Sequence, residues 1–233
     1  MNASNTAYSS TLDARCEDTC DEKETKVRYS IQGDEPNILT DIYREEVNIA
    51  IWQRQLSTTL TSSIAAFLIK KPTFKTSMTV SAQSALASIN DSLGEDMGEL
   101  SENIAELVEM FCCLFELKRV GLRLTVIDSA MCPKFHVDNV PCRLITTFEG
   151  VGTEWLSHQT VNREKLGIGS NGKPDSESGI YKNLYDIQQL NCGDVSLLKG
   201  EHWEGNEDGG LVHRSPALIT NERRLILTLD FSY

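Results

Sequence analysis

The spacing of apolar residues changes character about halfway along the chain. Between 36 and 120 it is mainly helical. Leu60, Ile64, Phe67 and Leu68 fall on one helical face, Ser57 is placed to cap it, Lys70 and Lys71 suit the last turn, and Pro72 closes it. A second amphipathic stretch covers 81–93, with Ala82, Leu86, Ile89 and Leu93. A third covers 101–118, where Ile104, Leu107, Val108, Phe111, Leu114 and Phe115 make a stripe and Gly121 is the expected stop. Cys112 and Cys113 on this helix read as packing residues. Residues 48–52 alternate and read as a short strand.

After Gly121 the period becomes two. Segments 122–127, 142–148, 194–198, 210–213 and 223–231 read as short strands between Gly- and Asn-rich loops, the signature of a sandwich or jelly roll. The polar segment 158–185 contains Gly167, Gly169, Gly172, Pro174 and Gly179 and reads as a long lid or binding loop. Residues 1–35 are rich in Ser, Thr, Asp and Glu and read as a flexible acidic arm. The expected class is α+β. A helical region, 36–120, packs on a C-terminal double-stranded β-helix (jelly roll, cupin-like) at 121–233, with 36–233 as one compact domain.

Composition narrows the partners. The 233 residues hold 22 Lys+Arg against 34 Asp+Glu, a net charge of −12. That balance argues against nucleic acid, which needs clustered positive charge, and against an anionic membrane surface. No apolar run approaches the about 18 residues of a membrane span, and the polar first residues lack a signal-peptide core, so a cytoplasmic protein is expected. Seven cysteines, two of them adjacent, read as thiols in a reducing compartment. Cys16 and Cys20 lack a second ligand pair nearby and read as free thiols.

The informative segment is CPKFHVD, residues 132–138. His136 and Asp138 are two apart, so on extended chain an imidazole and a carboxylate project side by side. His213, in GLVHRSP, offers a second imidazole. Two histidines and one carboxylate are the facial triad of non-heme Fe(II) oxygenases, which leaves coordination positions open for an oxo-acid and dioxygen. Arg224, at the start of the last strand, stands where 2-oxoglutarate oxygenases place a basic residue for the distal carboxylate of the co-substrate; Arg223 is the alternative. A guanidinium suits that task because it makes two parallel bonds to a carboxylate. Cys132 could complete a four-ligand shell, which would favour Zn(II) and a structural or storage role. Thr146 or Thr147 could bond a co-substrate carboxylate, and Lys199 could position a carboxylate or phosphate. Glu154 and Trp155 read as pocket wall or as core and turn. Glu201 and His202 could make an accessory cation site, His158 has no assigned role, and Arg214 reads as structural. There is no G-x-S-x-G and no P-loop, and Gly167-Ile-Gly169 lacks the setting of a dinucleotide site.

The segment from Arg123 to Trp155 resembles the bacterial family called domain of unknown function 1826. The matching pieces are CP-x-FHVD, RL-x-TT and GTEW, with LLKGE, GLVHRSP and RRLILTLD further on and IWQR upstream. The resemblance spans about 45–231 and implies that His136, Asp138, His213 and Arg224 sit in the family's motif blocks. It brings no reaction with it. Three readings follow. The first is an Fe(II)- and 2-oxoglutarate-dependent oxygenase acting on a small-molecule or protein substrate. The second is a non-enzymatic cupin-like zinc protein in metal homeostasis. The third is a metal-free binding barrel.

Overall fold

The computed structural model describes residues 26–220 and 222–232. Cys16, Cys20 and most of the acidic arm lie outside them. Among the described residues ten strands form two sheets. The strands are β1 (Tyr29–Gly33), β2 (Val47–Trp52), β3 (Lys75–Val80), β4 (Val120–Ile127), β5 (Cys142–Glu149), β6 (Glu154–Leu156), β7 (Ile187–Gln189), β8 (Val195–Lys199), β9 (Val212–Arg214) and β10 (Arg224–Phe231). The large sheet has the order β1-β2-β8-β5-β10-β4-β3, and the small one β7-β6-β9. All pairings are antiparallel except β1 with β2. The result is a mixed α/β fold built on a large, mostly antiparallel sheet.

Among the described residues three long helices precede β4: α1 (Thr58–Lys70), α2 (Ala82–Leu93) and α3 (Gly98–Leu114). Ser57 caps α1, its hydroxyl accepting from the Leu60 amide at 3.0 Å. The expected face of α1, Leu60 to Leu68, is buried, whereas Leu86 of α2 stays exposed. α3 begins and ends earlier than the spacing predicts. Glu116 takes a left-handed φ of 52°, and the Leu117 amide donates to Cys112 O at 2.9 Å, the backbone geometry that closes a helix. Gly121 is therefore not the stop but lies inside β4. Cys112 is buried and Cys113 exposed.

The division into a helical half and a β half is also corrected. The expected strand β2 is joined in the first half by β1 and β3, and β1 occupies residues expected within the arm. The alternation of β3, KTSMTV, was legible; β1 owes its order to pairing with β2, a contact that local sequence does not announce.

Strand parity separates two environments. Leu122 and Leu124 of β4, Leu144 and Phe148 of β5, Val195 and Leu197 of β8, and Leu225, Leu227 and Leu229 of β10 share a core with the buried residues of α1, α2 and α3. The opposite face supplies Ile49, Ile51, Ile145, Leu198 and Ile226 to a second cluster that includes Trp155 of the small sheet. A third cluster, Phe135, Leu156, Ile180 and Val212, lies under the segment 158–185. That segment is not a structureless loop. It holds short 3-10 turns and one helical turn, α4 (Asp175–Ser178). Among the described residues no helix is long and apolar enough to cross a membrane.

Candidate metal centre

His136 and His213 are held face to face by backbone. Their amides and carbonyls pair reciprocally, at 3.0 and 2.9 Å, extending the edge of the small sheet by one bridge. The ring centroids lie 4.6 Å apart. Asp138 reaches both rings: its Oδ1 lies 3.7 Å from His136 Nε2 and its Oδ2 lies 3.3 Å from His213 Nε2. One ligand atom from each of the three residues falls within 4.8 Å of the others, and this is the one such group of three among the described residues.

Nearby groups orient these side chains. His136 Nδ1 lies 2.9 Å from Lys134 O, and His213 Nδ1 lies 3.2 Å from Leu211 O. A proton on each Nδ1 donates to its carbonyl and leaves the Nε2 lone pair aimed at the shared point. The Arg143 guanidinium donates to Asp138 Oδ2 at 2.7 Å and makes a two-pronged pair with Asp230 at 2.7 and 3.0 Å. Burial alone would raise the Asp138 carboxyl, but bonds from both histidines and the charge of Arg143 outweigh it and hold it well below the usual carboxylate range. The same contact with Asp138 raises His136.

The supports reach further. Buried Asp175 accepts from the Phe135 amide at 2.9 Å and from Arg214 at 3.0 Å, and so ties α4 to the segment that carries His136. Arg214 also bonds Glu154 at 2.6 Å and stacks on Phe135. Gly200 of LLKGE lies against the turn of Asp138, where a Cβ would run into the carbonyls of Asp138 and Val140.

Arg224 lies in the same cavity as the triad. It is fully buried, and its bonded neighbours are hydroxyls: Ser215 at 3.0 Å, Thr147 at 3.1 Å and Thr153 at 3.3 Å. Its Nε has no partner among the described residues. Burial pushes the guanidinium down to about 10. The nearby Glu154 carboxylate acts on it only through space and is paired with Arg214, so a buried cation bonded to neutral oxygens alone is best completed by an anion. Arg223 is exposed and reaches Leu68 O instead.

Other expectations change. Thr146 faces the helix-side core, and its hydroxyl is buried without a partner; Thr147, one residue on, is the one that meets Arg224. Lys199 likewise points to the helix side, donating to Arg44 O at 2.7 Å beside the Trp203 ring. Alternation along β5 and β8 sends both away from the cavity. Trp155 is core, opposite His213 in the strand register, and Glu154 pairs with Arg214; neither lines the cavity. Cys132 lines it, but its thiol is outside the convergent group, as are Glu201 and His202. Sequence reading left Thr146 and Thr147 open and missed Arg143, Thr153, Asp175 and Ser215. The alternation in CRLITTFE places Arg143, Ile145 and Thr147 on one face, a signal that becomes usable once the face toward His136 is known.

Two imidazoles, a carboxylate and a buried uncompensated guanidinium between two sheets define a candidate mononuclear metal centre with an adjoining anion site. The chain belongs to the family described as "Protein of unknown function (DUF1826)", whose model matches residues 33–230. No curated protein matches it. Solved structures that are similar at low identity include the following three. The dioxygenase for auxin oxidation 1 from Arabidopsis thaliana, in complex with 2-oxoglutarate, is 11% identical with a TM-score of 0.47, covering 88% of this chain and 92% of that one. A putative oxygenase from Shewanella oneidensis is 11% identical with a TM-score of 0.45, covering 87% and 89%. A prolyl-4-hydroxylase from Pseudomonas putida is 10% identical with a TM-score of 0.43, covering 84% and 97%.

Proposed function

We propose that this protein is an Fe(II)- and 2-oxoglutarate-dependent oxygenase of hydroxylase type, its two sheets forming a double-stranded β-helix. One observation carries the reading: a convergent His136, Asp138 and His213 share a cavity with a buried arginine that lacks a carboxylate partner. The donor set fits the metal. Two imidazole nitrogens and one carboxylate oxygen suit Fe(II), and three protein ligands leave positions open. A closed zinc shell would need the Cys132 thiol, which lies outside the group.

Bound iron would supply the redox chemistry, by which dioxygen oxidises a C–H bond while 2-oxoglutarate loses carbon dioxide and becomes succinate. The chain's own residues bind and orient. His136, Asp138 and His213 would hold the metal, the carbonyls of Lys134 and Leu211 keep the imidazoles in the ligating tautomer, and Arg143 keeps Asp138 ionised and aimed. Arg224 would take the distal carboxylate of 2-oxoglutarate, completing its empty Nε and nearby hydroxyls. Ile127, Ile145 and Ile226 line the cavity and limit water there.

The test is succinate release from 2-oxoglutarate by protein purified anaerobically and supplied with Fe(II) and then dioxygen. Turnover that is lost in Asp138→Ala is expected. Iron-loaded wild type that makes no more succinate than Asp138→Ala overturns the reading.

A further inference from the structure

The cavity holds more cationic chemistry than one co-substrate needs. Arg123 of β4 lines its rim, is exposed, and enters no ion pair among the described residues. Opposite it in the register are Thr228 of β10 and Ser77 of β3, and Lys75 lies opposite Thr125. Residues directly opposite share a face, so Lys75, Ser77, Arg123, Thr125 and Thr228 stand together on the cavity side. Thr125 and Thr228 both line the cavity, and each carries a buried hydroxyl without a partner among the described residues. Such hydroxyls are uncommon, and a ligand on this face offers them an acceptor after rotation about χ1. The carboxylates of this face, Asp138 and Asp230, are already engaged by Arg143. On a chain with a net charge of −12, Lys75 and Arg123 make a local exception.

Size and distance separate this group from Arg224. Thr228 is four residues along β10 from Arg224, about 13 Å at roughly 3.3 Å per residue. The cavity measures about 130 Å³, below the about 300–1,000 Å³ of pockets that enclose a drug-sized ligand. It has room for a small acid and little else, so the molecule to be oxidised must approach from the rim.

Resting on the oxygenase reading, we propose that the primary substrate is a small organic anion. Its carboxylate or phosphate pairs with Arg123, assisted by Lys75 and by the hydroxyls of Thr125 and Thr228, while Arg224 holds the co-substrate. The fork of Arg123 bonds either anion, and the two are separated by experiment.

The experiment is amide NMR of the full chain at low ionic strength, titrated with inorganic phosphate and, separately, with benzoate. Saturating shifts at Arg123, Thr125 and Thr228 are expected, and the tighter probe assigns the class. Arg123→Gln should weaken binding at least about fivefold, Lys75→Gln about twofold, and Thr125→Val should also weaken it while leaving the remaining spectrum in place. No saturating shift with either probe, or the same affinity in Arg123→Gln as in wild type, overturns the proposal. The same spectra follow 2-oxoglutarate, with Zn(II) as a silent stand-in for iron, at Thr147, Thr153 and Ser215. Failure there counts against the oxygenase reading and is scored separately from failure at Arg123.

Discussion

Along β10, Leu225, Leu227 and Leu229 enter the helix-side core, while Arg224, Ile226, Thr228 and Asp230 face the other way, toward the triad. β5 repeats the division, with Leu144 and Phe148 on one side and Arg143, Ile145 and Thr147 on the other. On β10 the core face carries Leu225, Leu227 and Leu229 with no exposure, and on β5 only Thr146 interrupts the apolar side chains of that face. The cavity face spends its burial on charges and hydroxyls, several without partners. One strand therefore carries stability on one side and chemistry on the other, alternating from one residue to the next. The difference teaches that the two properties are separable by substitutions one position apart.

The largest effect should come from breaking the core face. Leu227→Ala, at a site with no exposure, should cost about 2–5 kcal/mol in urea unfolding. Ile226→Ala, its half-buried neighbour on the cavity side, should cost well under half as much. Equal costs would dissolve the comparison. Next comes the cavity charge. Arg224→Gln should lower 2-oxoglutarate affinity by roughly 10- to 100-fold, equivalent to a charged hydrogen bond of about 1.5–3 kcal/mol, with little change in unfolding free energy. Calorimetric titration reads the first and urea unfolding the second. A variant that binds 2-oxoglutarate as wild type does would remove Arg224 from the site.

A third test uses a charge that lies on the core face. Burial lowers the Lys199 ammonium from an ordinary 10.5 to about 8, although it still donates to Arg44 O. Between those values the unfolded chain holds the extra proton, so stability rises with pH through that window. Wild type should gain roughly 1–2 kcal/mol on Lys199→Met between pH 7 and 10, measured by urea unfolding at each pH. A difference that stays flat contradicts a buried charge there. The smallest contrast is between adjacent threonines. Thr146→Val removes a partnerless hydroxyl from the core and should change stability by less than about 1 kcal/mol with 2-oxoglutarate affinity intact. Thr147→Val should weaken that affinity about two- to fivefold by releasing Arg224. The reverse assignment would mean that the strand faces are exchanged.

Much of this was legible from the chain. The alternation in RLILTLDF separates Arg224 from the leucines without a structure, and the spacing in FHVD brings His136 beside Asp138. Ser57 as a cap and the buried face of α1 follow from local chemistry. What sequence could not supply is register. Whether Thr146 or Thr147 meets Arg224, and whether Lys199 faces the triad, depends on which side of the large sheet the helices cover, a long-range fact. The supports of the site are long-range as well. Arg143 joins Asp138 to Asp230, far along the chain, and Asp175 reaches back to Phe135 from a segment that reads as a polar loop. The helix end misplaced at Gly121 came from expecting glycine where Glu116 takes the left-handed turn.

The most direct test of the central claim is to crystallise the full chain anaerobically with Fe(II) and 2-oxoglutarate and to locate the iron by its anomalous scattering. The account predicts one strong site about 2 Å from Nε2 of His136, Nε2 of His213 and an oxygen of Asp138, with a carboxylate against Arg224. Iron held elsewhere, or a site bound by the Cys132 thiol, would contradict it.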